Sequence, residues 1–319
     1  MKIYLISSGE SLEGGVGTYI RETSKLFPDS ITVNGCSKSA DIFIDGIWRI
    51  PTIRSIFIFF NFILTVKPNS IFICHSTAGL LLGMLSRIFF FKNIRVVNVY
   101  HGLASRYFGN KLMYLFELIT CFLSSQSVFL NKLDMSIAIR GNGVLIPNFA
   151  ERKYKNESNP CGDIVSVTRW SMQKDNKSLI EACNNGLVNL CIYTKLAEMQ
   201  LFKNAFPESV SIQHTNSILD IYQGKSIFVL STFSEGFPLS LMEAASFGLP
   251  VVCSDIPVLR SIFGDSCLYF KDPNHLVEII NRLKAEPNFY KKRSNHSKEI
   301  VSKFPHENWQ SSWINLIQE

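Results

Sequence analysis

Residues 234–250, SEGFPLSLMEAASFGLP, place two carboxylates, Glu235 and Glu243, eight positions apart around the start of a helix. Pro238 suits the first helical position, where the missing amide hydrogen costs nothing, and Gly248 is a helix-ending residue. The apolar runs SIFVL and VVC on either side are typical of buried strands. The segment therefore predicts a strand, loop, helix and strand of a parallel sheet, with Glu235 in the loop.

The same alternation of short apolar runs and helical patterns extends over the whole chain. In the first half the predicted strands are KIYLIS, SITVN, DIFID, SIFIC, RVVNVY, SVFL and GVLIP, and the helical patterns lie around residues 15–27, 50–66, 77–91, 108–122 and 131–139. In the second half the predicted strands are DIVSVT, NLCIY, VSIQH, SIFVL, LPVVC and CLYF. This pattern favours two α/β domains with doubly wound parallel sheets.

The predicted domain boundaries follow from composition. We expect an N-terminal domain over residues 1–148, a polar linker over 149–160 and a C-terminal domain over 161–300. Residues 301–319 are predicted to form a C-terminal helix that packs back on the N-terminal domain, with Trp309, Trp313 and Leu316 on one stripe. Such sheets bind ligands at the carboxyl ends of their strands.

Charge is unevenly distributed between the two halves. The net charge is +6, and residues 1–148 account for all of it, with 14 Lys and Arg against 8 Asp and Glu. Arg54 and Arg87 are among the basic residues that flank the apolar runs IFIFFNFILTV and IFFF. The imbalance indicates an anionic partner, a membrane surface rather than a nucleic acid. An ordinary solvated basic surface is the alternative.

The eight cysteines are scattered singly and show no zinc-like spacing, which favours reduced thiols in a cytoplasmic protein. The apolar runs are shorter than the roughly 20 residues that a membrane-spanning helix needs. We therefore expect a cytoplasmic chain, with peripheral attachment to the inner face of the membrane as the further expectation.

The residues around 234–250 suit a nucleotide sugar. A helix N-terminus offers unpaired amides to a phosphate, and the carboxylate of Glu243 can accept hydrogen bonds from a ribose diol. Glu235, in the loop, can do the same for a hexose hydroxyl. The alternative is a surface helix with one solvated glutamate and a second whose position is accidental.

Five segments in order resemble motifs of one known family. EGFPLSLMEA is similar to the E-x7-E signature of the retaining glycosyltransferases of family 4, and VTRWSMQKDNKSLIEA, VLIPNFAE, GGVGTY and VNVYHG resemble the family's other blocks. The resemblance covers nearly the whole chain. It implies the GT-B fold, in which two Rossmann-like domains face each other across a cleft.

The resemblance also implies roles for particular residues. The implied catalytic residues are His101, Glu235, Arg169 and Lys174. The implied donor-binding residues are Gly14, Gly15, Arg169, Lys174, Gly236, Phe237, Pro238, Leu239 and Glu243. Arg169 and Lys174 would neutralise the departing diphosphate, and His101 would donate a hydrogen bond to sugar or phosphate. His75, which follows SIFIC, is expected to have a structural role.

Three residues depart from the family's usual pattern. Thr168 stands where a Gly usually precedes the Arg, Asp175 stands where a Gly follows the Lys, and Phe149 replaces a Gly in the block that closes the first domain. No departure removes a charged group. The chemistry is therefore expected to persist, although the loop shapes can differ.

The resemblance implies a retaining hexosyltransferase that uses a UDP- or GDP-linked sugar donor. The expected acceptor is a hydroxyl of a saccharide, lipid-linked, in bacterial cell-surface polysaccharide synthesis such as lipopolysaccharide, O-antigen or capsule. No metal cluster and no cofactor are predicted, because cationic side chains and a helix dipole can take the metal's place. A nucleic-acid partner is not expected.

Three alternatives remain open from the residues alone. GGVG favours a dinucleotide-dependent oxidoreductase of the NAD type, although the usual glycine spacing and the acidic residue after the second strand are missing. A GT-B relative of another reaction type, such as a nucleotide-sugar epimerase or a phosphorylase, is the second. A non-catalytic binder of sugar nucleotides is the third.

Overall fold

The computed structural model describes residues 1–8, 14–35, 40–48, 50–90, 94–150 and 158–319, with residues 107 and 108 described by their backbone alone. The chain divides into two compact units, Met1–Pro147 and Asn148–Glu319. Each unit contains its own parallel sheet. The fold-class prediction of two α/β domains with parallel sheets is confirmed.

The N-terminal unit is a seven-stranded parallel sheet with helices in the connections. Its strands are β1 (Ile3–Ile6), β2 (Ile31–Asn34), β3 (Ile42–Phe43), β4 (Ile71–His75), β5 (Arg95–Tyr100), β6 (Gln126–Phe129) and β7 (Gly143–Leu145). Its helices among the described residues are α1 (Gly15–Leu26), α2 (Ile53–Thr65), α3 (Ser76–Phe89), α4 (Ala104–Phe108), α5 (Lys111–Leu123) and α6 (Lys132–Met135). The strand order is β3-β2-β1-β4-β5-β6-β7, so the direction of winding reverses between β1 and β4.

The C-terminal unit is a six-stranded parallel sheet. Its strands are β8 (Ile164–Val167), β9 (Leu190–Tyr193), β10 (Ser211–Gln213), β11 (Ile227–Leu230), β12 (Val251–Ser254) and β13 (Leu268–Phe270). Its helices among the described residues are α7 (Asn176–Asn184), α8 (Met199–Ala205), α9 (Ile218–Tyr222), α10 (Leu239–Ser246), α11 (Pro257–Phe263), α12 (Pro273–Ala285), α13 (Pro287–Lys303) and α14 (His306–Gln318). The order β10-β9-β8-β11-β12-β13 reverses between β8 and β11. Loops that follow the strands at such a reversal diverge and leave room for a ligand.

Apolar packing holds each sheet to its helices. Ile6, Phe59 and Phe72 are fully buried in the core of the N-terminal unit, and Ile192 and Phe202 are fully buried in that of the C-terminal unit. Burial of one such side chain stabilises the fold by about 1.5–3 kcal/mol. This packing therefore fixes the strands, and with them the starting points of the loops that follow their carboxyl ends.

A glycine allows α3 to lie unusually close to the sheet. A Cβ atom at Gly79 would lie 2.6 Å from the carbonyl oxygen of Ile6, so a side chain cannot be accommodated there. The close approach fixes the start of α3 against β1. His75, the last residue of β4, is therefore held at the edge of the sheet where the winding reverses.

The C-terminal helix packs on the beginning of its own unit. The rings of Phe149 and Trp309 are 4.8 Å apart, and the amide of Ala150 donates to the carbonyl of Phe304 at 2.9 Å. Trp309, Trp313 and Leu316 are all buried, as their spacing predicts. Contact of this helix with the N-terminal domain stays a prediction, as do the exact linker bounds, because residues 151–157 lie outside the described residues.

The strands match the sequence prediction closely, and the helices differ in places. Each of the thirteen predicted runs contains a strand. The helix expected over 108–122 begins only at Lys111 and follows the separate α4, because Gly109 adopts a positive φ of 60° and interrupts the helix. The helix expected over 131–139 is a single turn, Lys132–Met135. No helix among the described residues is long and apolar enough to cross a membrane.

Candidate active site

The loops after β8 and β11 bring three predicted site residues to the reversal point of the C-terminal sheet. Arg169 and Lys174 follow β8, and Glu235 follows β11, its immediate neighbour in the sheet. Lys174 pairs with Thr232 as an isolated antiparallel bridge. The two loops are therefore joined backbone to backbone at the place where a ligand would bind.

Side-chain and backbone hydrogen bonds reinforce that junction. The amide of Phe233 donates to the carbonyl of Gln173 at 2.9 Å, and the side-chain amide of Gln173 donates to the carbonyl of Ser234 at 2.7 Å. The hydroxyl of Thr232 also donates to the carbonyl of Gln173, at 3.1 Å. These bonds fix the two loops against each other before any ligand binds.

Lys174 and Glu235 form an ion pair across the junction. The Nζ of Lys174 donates to Oε1 of Glu235, and each side chain is only 10 % exposed. A part-buried ion pair with this low exposure is screened less by water than a surface pair. The sequence predicted both residues as catalytic, and the fold brings them into direct contact.

Arg169, in the same loop as Lys174, has an exposed side chain, while its backbone is fixed. Its carbonyl accepts hydrogen bonds from the side chain of Asn176 and the amide of Ser171, each at 3.0 Å. The guanidinium is therefore presented to solvent from a rigid backbone. Such a planar group can form two parallel hydrogen bonds to a phosphate.

Each of the three departures from the family pattern has a structural explanation. The hydroxyl of Thr168 donates to Oδ1 of Asn176 at 3.2 Å. Asp175 caps α7 by accepting from the amide of Ser178 at 3.1 Å. Phe149 is buried against Trp309. The first two replacements therefore stabilise the loop between β8 and α7, which carries Arg169 and Lys174, and the third packs against α14.

Helix α10 carries the second carboxylate of the opening segment. It begins at Leu239, so Pro238 is the N-cap residue rather than the first helical residue, as its ψ of 112° is extended. At the other end, Gly248 has a φ of 72°, and the amide of Leu249 donates to the carbonyl of Ala244 at 3.2 Å. This is the glycine-terminated C-cap that the sequence predicts.

The side chain of Phe237 points into an aromatic cluster. Its ring lies 5.5 Å from that of Phe263 and 5.0 Å from that of Phe304. Its carbonyl accepts a hydrogen bond from Asn148 at 2.8 Å. Gly236, Phe237 and Pro238 are buried and Leu239 is part-buried. Any contact of Phe237 with a donor would therefore come from its backbone.

Glu243 is held by a residue that sequence reasoning missed. The buried hydroxyl of Tyr222, at the end of α9, donates to Oε2 of Glu243 at 2.8 Å and lies 3.1 Å from the carbonyl of Ser240. Burial and then the charge of Glu243 raise the pKa of Tyr222 well above its usual value. Tyr222 therefore stays protonated and orients the carboxylate. The two residues are far apart in sequence, and no local motif joins them.

In the N-terminal unit, the predicted glycines lie at the start of α1. Gly14 is the N-cap with a φ of 83°, and Gly15 is the first helical residue. A Cβ atom at Gly14 would meet nothing within 4 Å. The segment after β1, residues 9–13, lies outside the described residues. The positive φ at position 14 therefore favours a glycine there, whereas no described residue would clash with a side chain at that position.

His101 and His75 form a pair at the ends of β5 and β4. Nδ1 of His75 and Nε2 of His101 are 3.0 Å apart, and the ring of Tyr19 meets both imidazoles edge to face. His75 is fully buried, and among the described residues its Nε2 has no hydrogen-bond partner. The sequence predicted a structural role for His75. Its direct contact with His101 gives it the more specific role of orienting that ring.

Both imidazoles are uncharged at neutral pH. Burial lowers the pKa of His101 to about 4. Burial, followed by repulsion from His101, lowers the pKa of His75 well below its usual value. A neutral imidazole can donate one hydrogen bond and accept another. His101 is therefore suited to hydrogen bonding with a ligand rather than to charge neutralisation.

Among the described residues, no cluster of three or more His, Cys, Asp or Glu side chains could hold a metal ion. The predicted residues fall into two groups, one in each unit. The structure pairs Lys174 with Glu235 in the C-terminal unit and places His101 at the end of β5 in the N-terminal unit.

Comparison with known proteins finds a family match within the C-terminal unit. Residues 150–300 match the model of the family described as glycosyl transferases group 1. The match covers just under half of the chain, and over these residues the chain is similar to that family. The matched residues, called the transferase domain below, include Arg169, Lys174, Glu235 and Glu243.

One relative and two solved structures extend the comparison. The Escherichia coli protein named O-antigen biosynthesis glycosyltransferase WclY is 31 % identical over 138 residues, which cover 40 % of this chain and 36 % of the relative. The match thus spans about a third of that relative's length. A sucrose-phosphate synthase from Thermosynechococcus elongatus has a TM-score of 0.82 at 15 % identity, covering 100 % of this chain and 98 % of that one.

The structure of Anabaena Alr3699/HepE in complex with UDP-glucose has a TM-score of 0.75 at 13 % identity, covering 100 % of this chain and 99 % of that one. At these identities the two structures establish a shared fold over both units, and nothing more. The coarse family prediction is supported over the transferase domain.

The neutral histidine pair makes the stability of the chain depend on pH. Between about pH 6.5 and 5 the unfolded state binds protons at His75 and His101, whereas the folded state with its lowered pKa values does not. The free energy of unfolding should therefore fall as the pH is lowered through this window. Denaturant titrations at several pH values measure the slope, which should correspond to about one proton per imidazole.

A double variant, His75→Gln with His101→Gln, should flatten that slope. An unchanged slope in the double variant would show that the pair is charged in the folded protein.

Proposed function

We propose that the chain is a retaining glycosyltransferase that moves a hexosyl unit from a nucleotide sugar to a hydroxyl of a saccharide acceptor. The observation that carries the proposal is the junction of the loops after β8 and β11. There a transferase domain joins the cation Lys174 to the carboxylate Glu235, beside the exposed cation Arg169. Retention of configuration follows from the resemblance to family 4.

The donor is proposed to bind through its charges. The diphosphate gains negative charge as the glycosidic bond breaks, and Arg169 and Lys174 supply positive charge at fixed positions. A bound diphosphate would compete with Glu235 for Lys174. Sugar hydroxyls can in turn donate hydrogen bonds to Glu235, so both charges of the ion pair stay compensated when the donor binds.

Glu243 is proposed to bind the ribose. Its carboxylate is oriented by the Tyr222 hydroxyl, so the geometry is set before the nucleotide arrives. A pre-oriented carboxylate loses less conformational entropy on binding a diol than a mobile one. The fold of HepE, solved with UDP-glucose, is compatible with a UDP-linked donor, and a GDP-linked donor is the alternative.

His101 is proposed to act as a neutral hydrogen-bonding group for the sugar or phosphate, oriented by His75. Charge neutralisation is left to Arg169 and Lys174, so we propose that catalysis requires no metal and no cofactor. These cations and the amides at the start of α10 would fulfil the electrostatic role that a metal has in other transferases.

The acceptor is proposed to be a lipid-linked saccharide of a bacterial cell-surface polysaccharide. The name of WclY places that relative in O-antigen biosynthesis. The excess of basic residues in the first half of this chain suits an acceptor at an anionic membrane surface. A peripheral position at the cytoplasmic face of the membrane would follow.

Thermal melting in the presence of EDTA tests the proposed donor class. A ligand at about 100 times its Kd stabilises the folded state by about 2.7 kcal/mol, which raises the melting temperature measurably. We expect UDP, GDP or one of their sugar conjugates to stabilise the chain with EDTA present. Stabilisation by NAD alone would contradict the proposal and favour an oxidoreductase, and stabilisation that needs added Mn²⁺ would contradict metal independence.

Glu243→Ala should weaken nucleotide binding, because the ribose loses a charged hydrogen-bond partner worth about 1.5–3 kcal/mol. Isothermal titration with the nucleotide selected by melting measures the change as a roughly 10- to 150-fold rise in Kd. Glu181→Ala, which removes an exposed carboxylate from α7, is the matched control and should leave Kd unchanged. Equal affinity in Glu243→Ala and wild type would exclude the ribose role.

Lys174→Ala and Arg169→Ala should each reduce turnover more than donor affinity, because the charge on the leaving diphosphate is largest in the transition state. The loss is expected to be about 100-fold or more in the rate of nucleotide release at saturating donor. Lys177→Ala, which removes an 86 % exposed lysine three residues away, is the control. Wild-type turnover in both variants would remove the leaving-group role, and unfolding curves of all three check that each is folded.

A further inference from the structure

Helix α5 exposes a continuous apolar stripe. Leu112, Leu115, Ile119 and Phe122 recur at helical spacing and are between 41 % and 77 % exposed. The opposite face is the one that packs inward, through Glu117, Thr120 and Cys121. A surface helix normally carries polar residues on its outer face. A helix that is apolar on that face therefore indicates contact with another molecule.

The charges around this stripe are all of one sign. Among the described side chains of residues 103–141, the exposed charged ones are those of Arg106, Lys111, Lys132 and Arg140. The segment's two acids are buried. Glu117 accepts hydrogen bonds from Ser105, and Asp134 accepts from Asn131 and lies 3.6 Å from Arg106. The surface of this segment is therefore apolar and cationic, with no exposed carboxylate.

Cations stand at both ends of the stripe. Lys111 is the first residue of α5. At the other end, the guanidinium of Arg140 lies 4.7 Å from the centre of the Phe122 ring and donates to the Phe122 carbonyl at 3.0 Å. Arg87 donates to the carbonyl of Leu123 at 3.3 Å. This arrangement is typical of helices that lie in a membrane interface, with apolar side chains inward and basic ends at the headgroups.

A cavity of about 350 Å³ opens at the N-terminal end of the stripe. Its lining includes Arg106, Asn110, Lys111, Tyr114 and Ser136. Two cations and several polar side chains in one cavity, beside an apolar helix face, suit a phosphate group attached to a hydrocarbon chain. Arg106 is partly compensated by Asp134, so Lys111 supplies the uncompensated charge.

Helix α2 includes most of the apolar run IFIFFNFILTV, which the sequence analysis associates with membrane contact. It is less suitable than α5 as a membrane-docking surface. It exposes Ile53, Phe57 and Leu64, but Asn61 interrupts their stripe. Asp45, close to the start of α2, is an exposed carboxylate that would repel an anionic surface. The face of α5 has neither feature.

We propose that α5 docks on an anionic membrane, with its apolar stripe in the interface and a lipid phosphate in the cavity beside Arg106 and Lys111. This inference rests on the proposed function, because it assigns to one helix the membrane contact proposed there. It depends on no step of glycosyl transfer. Each basic residue near such a surface contributes only weakly to binding, so the attachment is reversible and weakens with salt.

Sedimentation of the full chain with vesicles tests the proposal. We expect binding to phosphatidylglycerol-containing vesicles at low salt, loss of binding at high salt, and no binding to vesicles of phosphatidylcholine alone. A double variant, Leu112→Ser with Leu115→Ser, should weaken binding about tenfold or more. Lys111→Gln should weaken binding and reduce its salt dependence.

A matched control removes equally exposed apolar side chains elsewhere. Val188→Ser with Leu196→Ser replaces residues that are 57 % and 69 % exposed in the other unit, and its vesicle binding should equal that of the wild type. Unchanged binding in the α5 double variant, or no binding of the wild type to anionic vesicles, overturns the proposal. Complete displacement of the chain from the vesicles by free glycerol phosphate also overturns the proposal, since the cavity would then bind a soluble phosphate.

The outcome is separable from that of the proposed function. Nucleotide-induced melting shifts, measured on the same preparations, report donor binding in the transferase domain and do not depend on α5. A wild-type chain that does not bind anionic vesicles but keeps its nucleotide response contradicts the membrane proposal and leaves the donor assignment intact. A chain that binds vesicles but no nucleotide contradicts only the donor assignment.

Discussion

The short bridge between Lys174 and Thr232 is the constraint on which the candidate site depends. It joins the loops after β8 and β11, where the sheet reverses its winding, and the hydrogen bonds of Gln173 lock the same junction. Because the loops are fixed by backbone contacts, the side chains of Lys174 and Glu235 meet in a defined geometry. The charges of the site are thus positioned by the fold rather than by the flexible side chains themselves.

Electrostatic roles are divided between the two units. The C-terminal unit carries permanent charges, in Arg169, Lys174 and Glu235, whereas the N-terminal unit presents a neutral imidazole pair at the end of its central strands. Buried imidazoles remain neutral because charging them in a low-dielectric environment is costly. In the proposed mechanism, charge stabilisation and directional hydrogen bonding would therefore come from different sheets.

Much of the fold could be predicted from the sequence, because most strands are short runs of apolar residues, many of them β-branched or aromatic, separated by helical patterns. The end of α10 at Gly248 and the burial of Trp313 could also be predicted, because each depends on a local sequence pattern. The bond from Tyr222 to Glu243 and the contact of His75 with His101 were not predictable in this way, because each joins residues more than twenty positions apart. The break between α4 and α5 was missed because one glycine's conformation, at Gly109, decides it.

The burial of Glu117 and Asp134 has a consequence for how the surface of residues 103–141 responds to its surroundings. Among the described side chains, the exposed charged ones there are those of Lys and Arg residues, and both carboxyls are buried. Burial raises the pKa of both carboxyls, so acidification can only add positive charge. Acidification therefore cannot reverse the sign of this surface. Ionic strength, competing polyanions or lysine acylation would be the means of controlling it.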